Sequence, residues 1–120
     1  MDNWFNHKFR WRPRNDKNSE LIMDKIDHIA IQTTNIQKSV KWYKDMFKCK
    51  VTFQDETWAL IEFKNTKLAL VIPEQHPPHI AVKRENLEEY GAPVKHRDGS
   101  ESVYIDSPDS NTFELIRYPE

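Results

Sequence analysis

The sequence predicts an α+β fold of two tandem β-α-β-β-β modules whose strands form a curved mixed sheet around a cleft. Three observations predict it. His28-Ile29-Ala30-Ile31 returns almost unchanged as His79-Ile80-Ala81-Val82. Seven residues after each histidine stands the same kind of pair, Asn35-Ile36 and Asn86-Leu87. Both stretches also close alike, on Asn65-Thr66-Lys67-Leu68-Ala69-Leu70-Val71 and on Asn111-Thr112-Phe113-Glu114-Leu115-Ile116. A repeat of about 50 residues is one supersecondary unit used twice. Two copies related by an approximate two-fold bring equivalent residues face to face.

The first module spans about 25–73. Residues 26–31 read as a strand, with β-branched residues on alternate positions. Thr34 and Gln37 fit a capping box, and Ile36, Val40, Tyr43 and Phe47 follow at helical spacing as an apolar stripe. Short strands are expected at 51–53, 58–63 and 68–72, the last stopped by Pro73. The second module spans about 78–119. His79 opens its first strand. Residues 84–90 have room for only about two turns of helix, which Gly91 ends and Pro93 stops. Strands follow at 94–96, 102–105 and 112–116, with a turn at 107–111 between the last two.

Composition excludes several function classes. Eighteen basic and nineteen acidic residues leave a net charge of -1, so there is no global pull toward nucleic acid or an anionic membrane. No apolar run approaches the roughly 20 residues of a membrane span, and no apolar stretch at the N-terminus reads as a secretory signal. Cys49 is the one cysteine, so no intrachain disulfide forms, and a cytoplasmic location is expected. Two glycines rule out a glycine-rich phosphate cradle.

Strand alternation then places the side chains that carry chemistry. Ile29 and Ile31 share one face of the first strand, suited to packing on the helix; His28 and Ala30 share the other. The copy repeats this with Ile80 and Val82 against His79 and Ala81. Each histidine thus has a small neighbour that leaves room beside its imidazole. On the last strand Phe113 and Leu115 point to the helix side and Glu114 to the concave side. A lone strand histidine is ordinarily a hydrogen-bonded structural residue. Its duplication, together with an inward carboxylate that is costly to bury unpaired, points to one divalent metal ion held by His28, His79 and Glu114. Trp58 and Tyr104 are candidates for the cleft wall, and Tyr104 for donating to a bound oxyanion. Glu114 and Tyr104 are therefore the candidate catalytic residues. His96, between Lys95 and Arg97, reads as a surface residue. His76 lies in a proline-flanked loop, which excludes helical histidine spacing with His79.

The pattern resembles the vicinal oxygen chelate superfamily of glyoxalases, bleomycin-resistance proteins, extradiol dioxygenases and fosfomycin-modifying enzymes. The resemblance covers about 24–119 and rests on Asp27-His28-Ile29-Ala30-Ile31 and His79-Ile80-Ala81-Val82. It rests also on Ser39-Val40-Lys41-Trp42-Tyr43, similar to the family's serine-x-x-phenylalanine-tyrosine run. The ending Ser102-Val103-Tyr104-Ile105-Asp106-Ser107-Pro108-Asp109-Ser110-Asn111-Thr112-Phe113-Glu114-Leu115 resembles the family's aspartate-proline-aspartate-glycine-asparagine turn and glutamate-leucine close. Ser107 and Ser110 replace the usual aspartate and glycine of the turn. The resemblance implies the same metal positions, His28, His79 and Glu114, with Fe, Mn, Zn or Ni as the ion. The family's fourth ligand position falls on Ala69, which cannot bind metal, and Glu62 is the nearby acid that could substitute. Three protein ligands resemble the dioxygenase and fosfomycin-enzyme arrangement. That implies a lyase or dioxygenase acting on a small substrate that chelates the ion through adjacent oxygens. The alternative is a metal-free sequestration protein of the bleomycin-resistance kind. The short second helix implies a shallow cup, which a homodimer would complete.

Residues 1–22 differ from the rest. Trp4, Phe5, Phe9 and Trp11 stand among Lys8, Arg10, Arg12, Arg14 and Lys17 with no period. Such a segment reads either as an arm that grips a polyanion or partner or as a flexible extension before a domain at 23–120. The second reading is preferred, because short basic-aromatic clusters arise often by chance. A chain starting at Met23 is expected to melt within a few degrees of the full chain; a large drop in Tm would show that the aromatic residues dock on the domain.

Overall fold

The computed structural model describes residues 23–120. The reading of 1–22 lies outside the described residues. The chain forms β1 (Ile26–Gln32), α1 (Ile36–Met46), β2 (Lys50–Gln54), β3 (Trp58–Glu62) and β4 (Lys67–Val71). It then forms β5 (His79–Lys83), a 3-10 turn (Leu87–Glu89), β6 (Val94–Lys95), β7 (Glu101–Asp106) and β8 (Thr112–Arg117). The β-α-β-β-β order therefore occurs twice. In the second copy α1 is replaced by the single 3-10 turn, one turn rather than the two that its sequence suggested. Among the described residues no helix is long and apolar enough to cross a membrane.

All eight strands join one curved mixed sheet in the order β2-β3-β4-β1-β5-β8-β7-β6. The first strand of each module sits at the centre, and β1 and β5 pair antiparallel. Within each module the first strand pairs parallel with the last, β1 with β4 and β5 with β8. The two halves are thus related by a pseudo-two-fold through the paired Ile29 and Ile80.

One face of the first half packs under α1. Ile36 and Val40 are buried against Ala59, Ile61 and Leu70, with Ile31 and Tyr43 alongside. Phe47 follows the helix as its C-cap and stays half exposed, although its ring meets Tyr43 and Phe63. The cap at the other end differs from the expected box. Asn35 is the N-cap, and its side chain accepts from the Lys38 backbone N–H at 2.9 Å. Asparagine fills this role well because its short amide reaches the unpaired N–H groups of the first turn. In the second half Leu87, Val103 and Leu115 form a smaller core with Val82, Tyr90 and Ile105.

The opposite face carries the histidines. His28 pairs with Ala81, and Ala81 pairs on its other side with Glu114. His28 and Glu114 therefore stand two strands apart with only a methyl group between them. Neighbouring strands are about 4.8 Å apart, so two long side chains can close over a small residue and not over a large one. Ala81 is fully buried. Ala81→Val is expected to overpack this row, lowering stability in chemical denaturation by about 1–3 kcal/mol. It should also part the two side chains, whereas a neutral effect would mean that the row has slack.

Candidate metal centre

Four strands meet at the site. The pseudo-two-fold brings His28 on β1 beside His79 on β5, with ring centroids 5.7 Å apart and nearly perpendicular. Glu114 on β8 completes the group. Its Oε1 lies 3.3 Å from His28 Nε2 and 3.1 Å from His79 Nε2. Among the described residues this trio is a group whose ligating atoms all lie within 4.8 Å of one another. Its members are the three residues the sequence pointed to.

The backs of both imidazoles are held. His28 Nδ1 is 2.8 Å from Asp27 Oδ2, and His79 Nδ1 is 2.9 Å from the Pro77 carbonyl oxygen. A carboxylate and a carbonyl can only accept, so both Nδ1 atoms carry the hydrogen. In the neutral ring Nε2 then presents a lone pair, aimed in each case at Glu114 Oε1. Lone pairs and a carboxylate repel unless something positive sits among them, either a proton or a cation. Two donors at right angles about 2.0–2.2 Å from one ion would lie about 3 Å apart. The observed separations therefore fit a shared ion, and the fixed Nδ1–H tautomers are those that metal-binding histidines use.

Asp27 owes its reach to a β-bulge. The β1–β5 register shifts between Ile26 and His28, so Asp27 is the extra residue and its neighbour's usual opposite facing is relaxed. Asp27 is buried, accepts from the Tyr118 hydroxyl at 2.7 Å and has Lys67 Nζ at 3.6 Å. Burial works to raise its pKa, but the hydrogen bonds from His28 and Tyr118 outweigh it and hold the carboxyl below its usual range. Glu114 follows the same balance: burial opposes ionisation, and bonds from His28, His79 and Ser102 hold it far below the usual range. Burial would lower His28, yet Asp27 and then Glu114 push it up to about 9.

Two further histidines border the trio. His76 lies in the linker, where Gln32 Nε2 donates to its carbonyl at 2.8 Å. Its ring is 5.8 Å from His79 and stacks at 6.2 Å on Tyr104. His96 is not the surface residue its charged neighbours suggested. Its Nε2 lies 2.9 Å from Ser102 Oγ and 3.7 Å from Glu114 Oε2. Strand β6 has two residues, and the chain then turns sharply through 96–100, which folds the ring back over β7. Ser102 itself is wholly buried and donates to Glu114 Oε2 at 2.5 Å. Reading the strand faces would have found it, since Ser102 and Tyr104 alternate onto the side of Glu114.

Tyr104 pairs across the sheet with Glu114 and sets its ring edge-on to His79 at 5.7 Å. Burial first, then the Glu114 charge, keep its hydroxyl protonated well above the ordinary range. Trp58 pairs with Val71 on β4 and stacks at 4.6 Å on Phe53, on the wall of the first module. Ala69 pairs with Ala30 as Glu114 pairs with Ala81. Ala69 therefore stands at the pseudo-symmetric counterpart of Glu114, with no slip of register. Glu62 pairs with Lys67 at the end of β3 and is exposed.

The charges set a pH dependence for the metal-free protein. His28 has a raised folded-state pKa, so its contribution is complete below its ordinary value of 6.5 and is lost as pH rises through about 9. Glu114 is depressed, so its contribution is present above its ordinary 4.5 and is lost in acid. Chelator-treated protein is thus expected to have its highest Tm between these limits and to lose stability toward pH 9. His28→Gln should flatten the alkaline limb; an unchanged limb would exclude His28 as its origin.

The model of the Glyoxalase/Bleomycin resistance protein/Dioxygenase superfamily matches residues 25–99. No curated protein matches the chain. Several solved structures are similar. A hypothetical protein from Bacillus halodurans C-125 is 20% identical, with TM-score 0.67, over 82% of this chain and 97% of that one. Methylmalonyl-CoA epimerase from Mycobacterium tuberculosis is 13% identical, with TM-score 0.66, over 84% and 95%. A single-residue variant of the Streptomyces coelicolor epimerase, in complex with 2-nitronate-propionyl-CoA, is 16% identical, with TM-score 0.66, over 82% and 100%. At these identities the likeness is one of fold. With more than half of its length matched by the family model, the chain belongs to the Glyoxalase/Bleomycin resistance protein/Dioxygenase superfamily.

Proposed function

We propose that the protein is a metal-dependent enzyme of lyase or dioxygenase type, acting on a small substrate that binds one divalent ion through two adjacent oxygens. The observation that carries the reading is the convergence of His28 Nε2 and His79 Nε2 on one Glu114 oxygen, with both Nδ1 atoms engaged from behind, a donor set that suits a divalent ion once the His28 proton is displaced. His28, His79 and Glu114 would hold the ion, and two imidazoles with one carboxylate suit Fe(II), Mn(II), Zn(II) or Ni(II). When bound, such an ion supplies Lewis-acid activation of the substrate oxygens. A metal-free binding protein would need none of the three residues, still less the bonds that fix their tautomers.

The rest of the chemistry belongs to the chain. Ala69 contributes no donor where the pseudo-two-fold would put a second carboxylate, so substrate oxygens have room beside the three protein ligands. Tyr104 keeps its proton and overhangs His79, which suits it to donate to a developing oxyanion. His76, stacked on the same ring, steadies it from the linker side. Trp58 and Phe53 offer an apolar wall on the far module. The Streptomyces coelicolor epimerase carries 2-nitronate-propionyl-CoA on this fold, which supports a small-molecule substrate here as well.

Four outcomes test the proposal. Protein purified without chelator should carry a divalent ion by elemental analysis, and His79→Ala or Glu114→Gln should lose it while staying folded; undiminished content in both variants would sink the idea. Affinity should rise with pH toward about 9, with proton release in calorimetry, because the ion must displace the His28 proton. Tyr104→Phe should lower kcat by roughly 10²–10⁴ with little change in KM. Robust isomerisation of the methylglyoxal–glutathione hemithioacetal, which is not expected with Ala69 in place of a carboxylate, would redirect the assignment to Glu62 or a partner-chain acid.

A further inference from the structure

The two oxygens of Glu114 have different surroundings. Oε1 faces the two imidazoles at 3.1 and 3.3 Å, while Oε2 is turned onto Ser102 Oγ at 2.5 Å. Ser102 pairs with Ile116, two residues along β8 from Glu114, so the two side chains are diagonal neighbours on one face. A hydroxyl has one hydrogen to give. The carboxylate can only accept, so that hydrogen goes to Oε2. The remaining contact of Ser102 Oγ, with His96 Nε2 at 2.9 Å, must then be a donation from imidazole to hydroxyl. His96 is too far from Oε2, at 3.7 Å, to bond it directly, and so acts through Ser102.

We propose that Ser102, backed by His96, is a positioning residue that holds Glu114 as a one-oxygen ligand of the centre. The inference rests on the metal reading above. A carboxylate beside an ion can rotate to offer both oxygens and so fill a place the substrate needs. Ser102 removes that freedom by engaging Oε2. A wholly buried hydroxyl is costly without partners, and both partners of this one belong to the site. His96 is itself held by the turn behind it. Its backbone N–H donates to the Ser100 carbonyl at 2.8 Å, and Gly99 N–H donates back to the His96 carbonyl at 3.0 Å. Gly99 has φ 90°, a conformation that side chains disfavour, and an added Cβ would come to 3.2 Å from Pro119.

The test is Co(II) titration of the full chain, read by visible absorption and calorimetry, with Tm recorded for each variant. Ser102→Ala should keep its Tm within a few degrees yet loosen Co(II) about 10- to 100-fold. Its visible bands should weaken as a second carboxylate oxygen raises the coordination number. Ser102→Thr should restore both signals, and His96→Gln, whose amide still donates to the hydroxyl, should stay closer to the unmodified protein than Ser102→Ala does. Unchanged affinity and spectrum in Ser102→Ala would overturn this proposal and leave the metal reading standing. So would a folded Ser102→Thr that behaves like the alanine variant. No Co(II) uptake by the unmodified protein, or equal uptake by Glu114→Gln, would overturn the metal reading and this inference together.

Discussion

The antiparallel pairing of β1 with β5 is the constraint on which the rest depends. Its register sets Ile29 opposite Ile80, His28 opposite Ala81 and His79 opposite Ala30. Each histidine thereby leans over the other module's alanine. A slip of one residue would turn one histidine to the helix face and dissolve the group, because side chains alternate strictly along a strand. The parallel pairing of β5 with β8 then delivers Glu114 into the same row. Three residues from distant parts of the chain converge through backbone ladders alone, without any loop having to be held in place.

A carboxylate buried in that row is expensive, since the effective penalty for removing such a charge from water is several kcal/mol. The structure offsets it from every side. Oε1 meets the two imidazoles and Oε2 meets Ser102, while Asp27 and Tyr118 support His28 from behind. These bonds extend polarity outward only in the second module. At equivalent register positions the first module has Ala69 for Glu114, Leu60 for Tyr104 and Trp58 for Ser102. The duplicated scaffold has thus diverged into one polar wall and one apolar wall, with a histidine contributed by each.

The repeat made most of the fold legible, because two copies of a strand motif must meet in a symmetric way to bury their isoleucine faces. The trio was legible for the same reason, and the equivalence of Ala69 with Glu114 followed from aligning the copies. The helix start was displaced by one residue from Thr34 to Asn35, where competing polar side chains sit in a row and only the folded backbone selects among them. The second helix shrank to one 3-10 turn, where Leu87 is the segment's one fully buried residue and Tyr90 packs beside it.

The sequence by itself determined the modules, the strand faces and the three side chains that cluster, His28, His79 and Glu114, since these follow from strand periodicity and from a histidine motif stated twice. Tertiary structure alone decided the surroundings. Asp27 joins His28 only through a bulge, His96 turns inward only through a tight hairpin, and Ser102 becomes a bridge only once β7 lies beside β8. Tyr118, close to the end of the sequence, reaches Asp27 across a separation of 91 residues. No local pattern encodes such contacts. They arise from where strands end and how chains turn, after the register has fixed everything else.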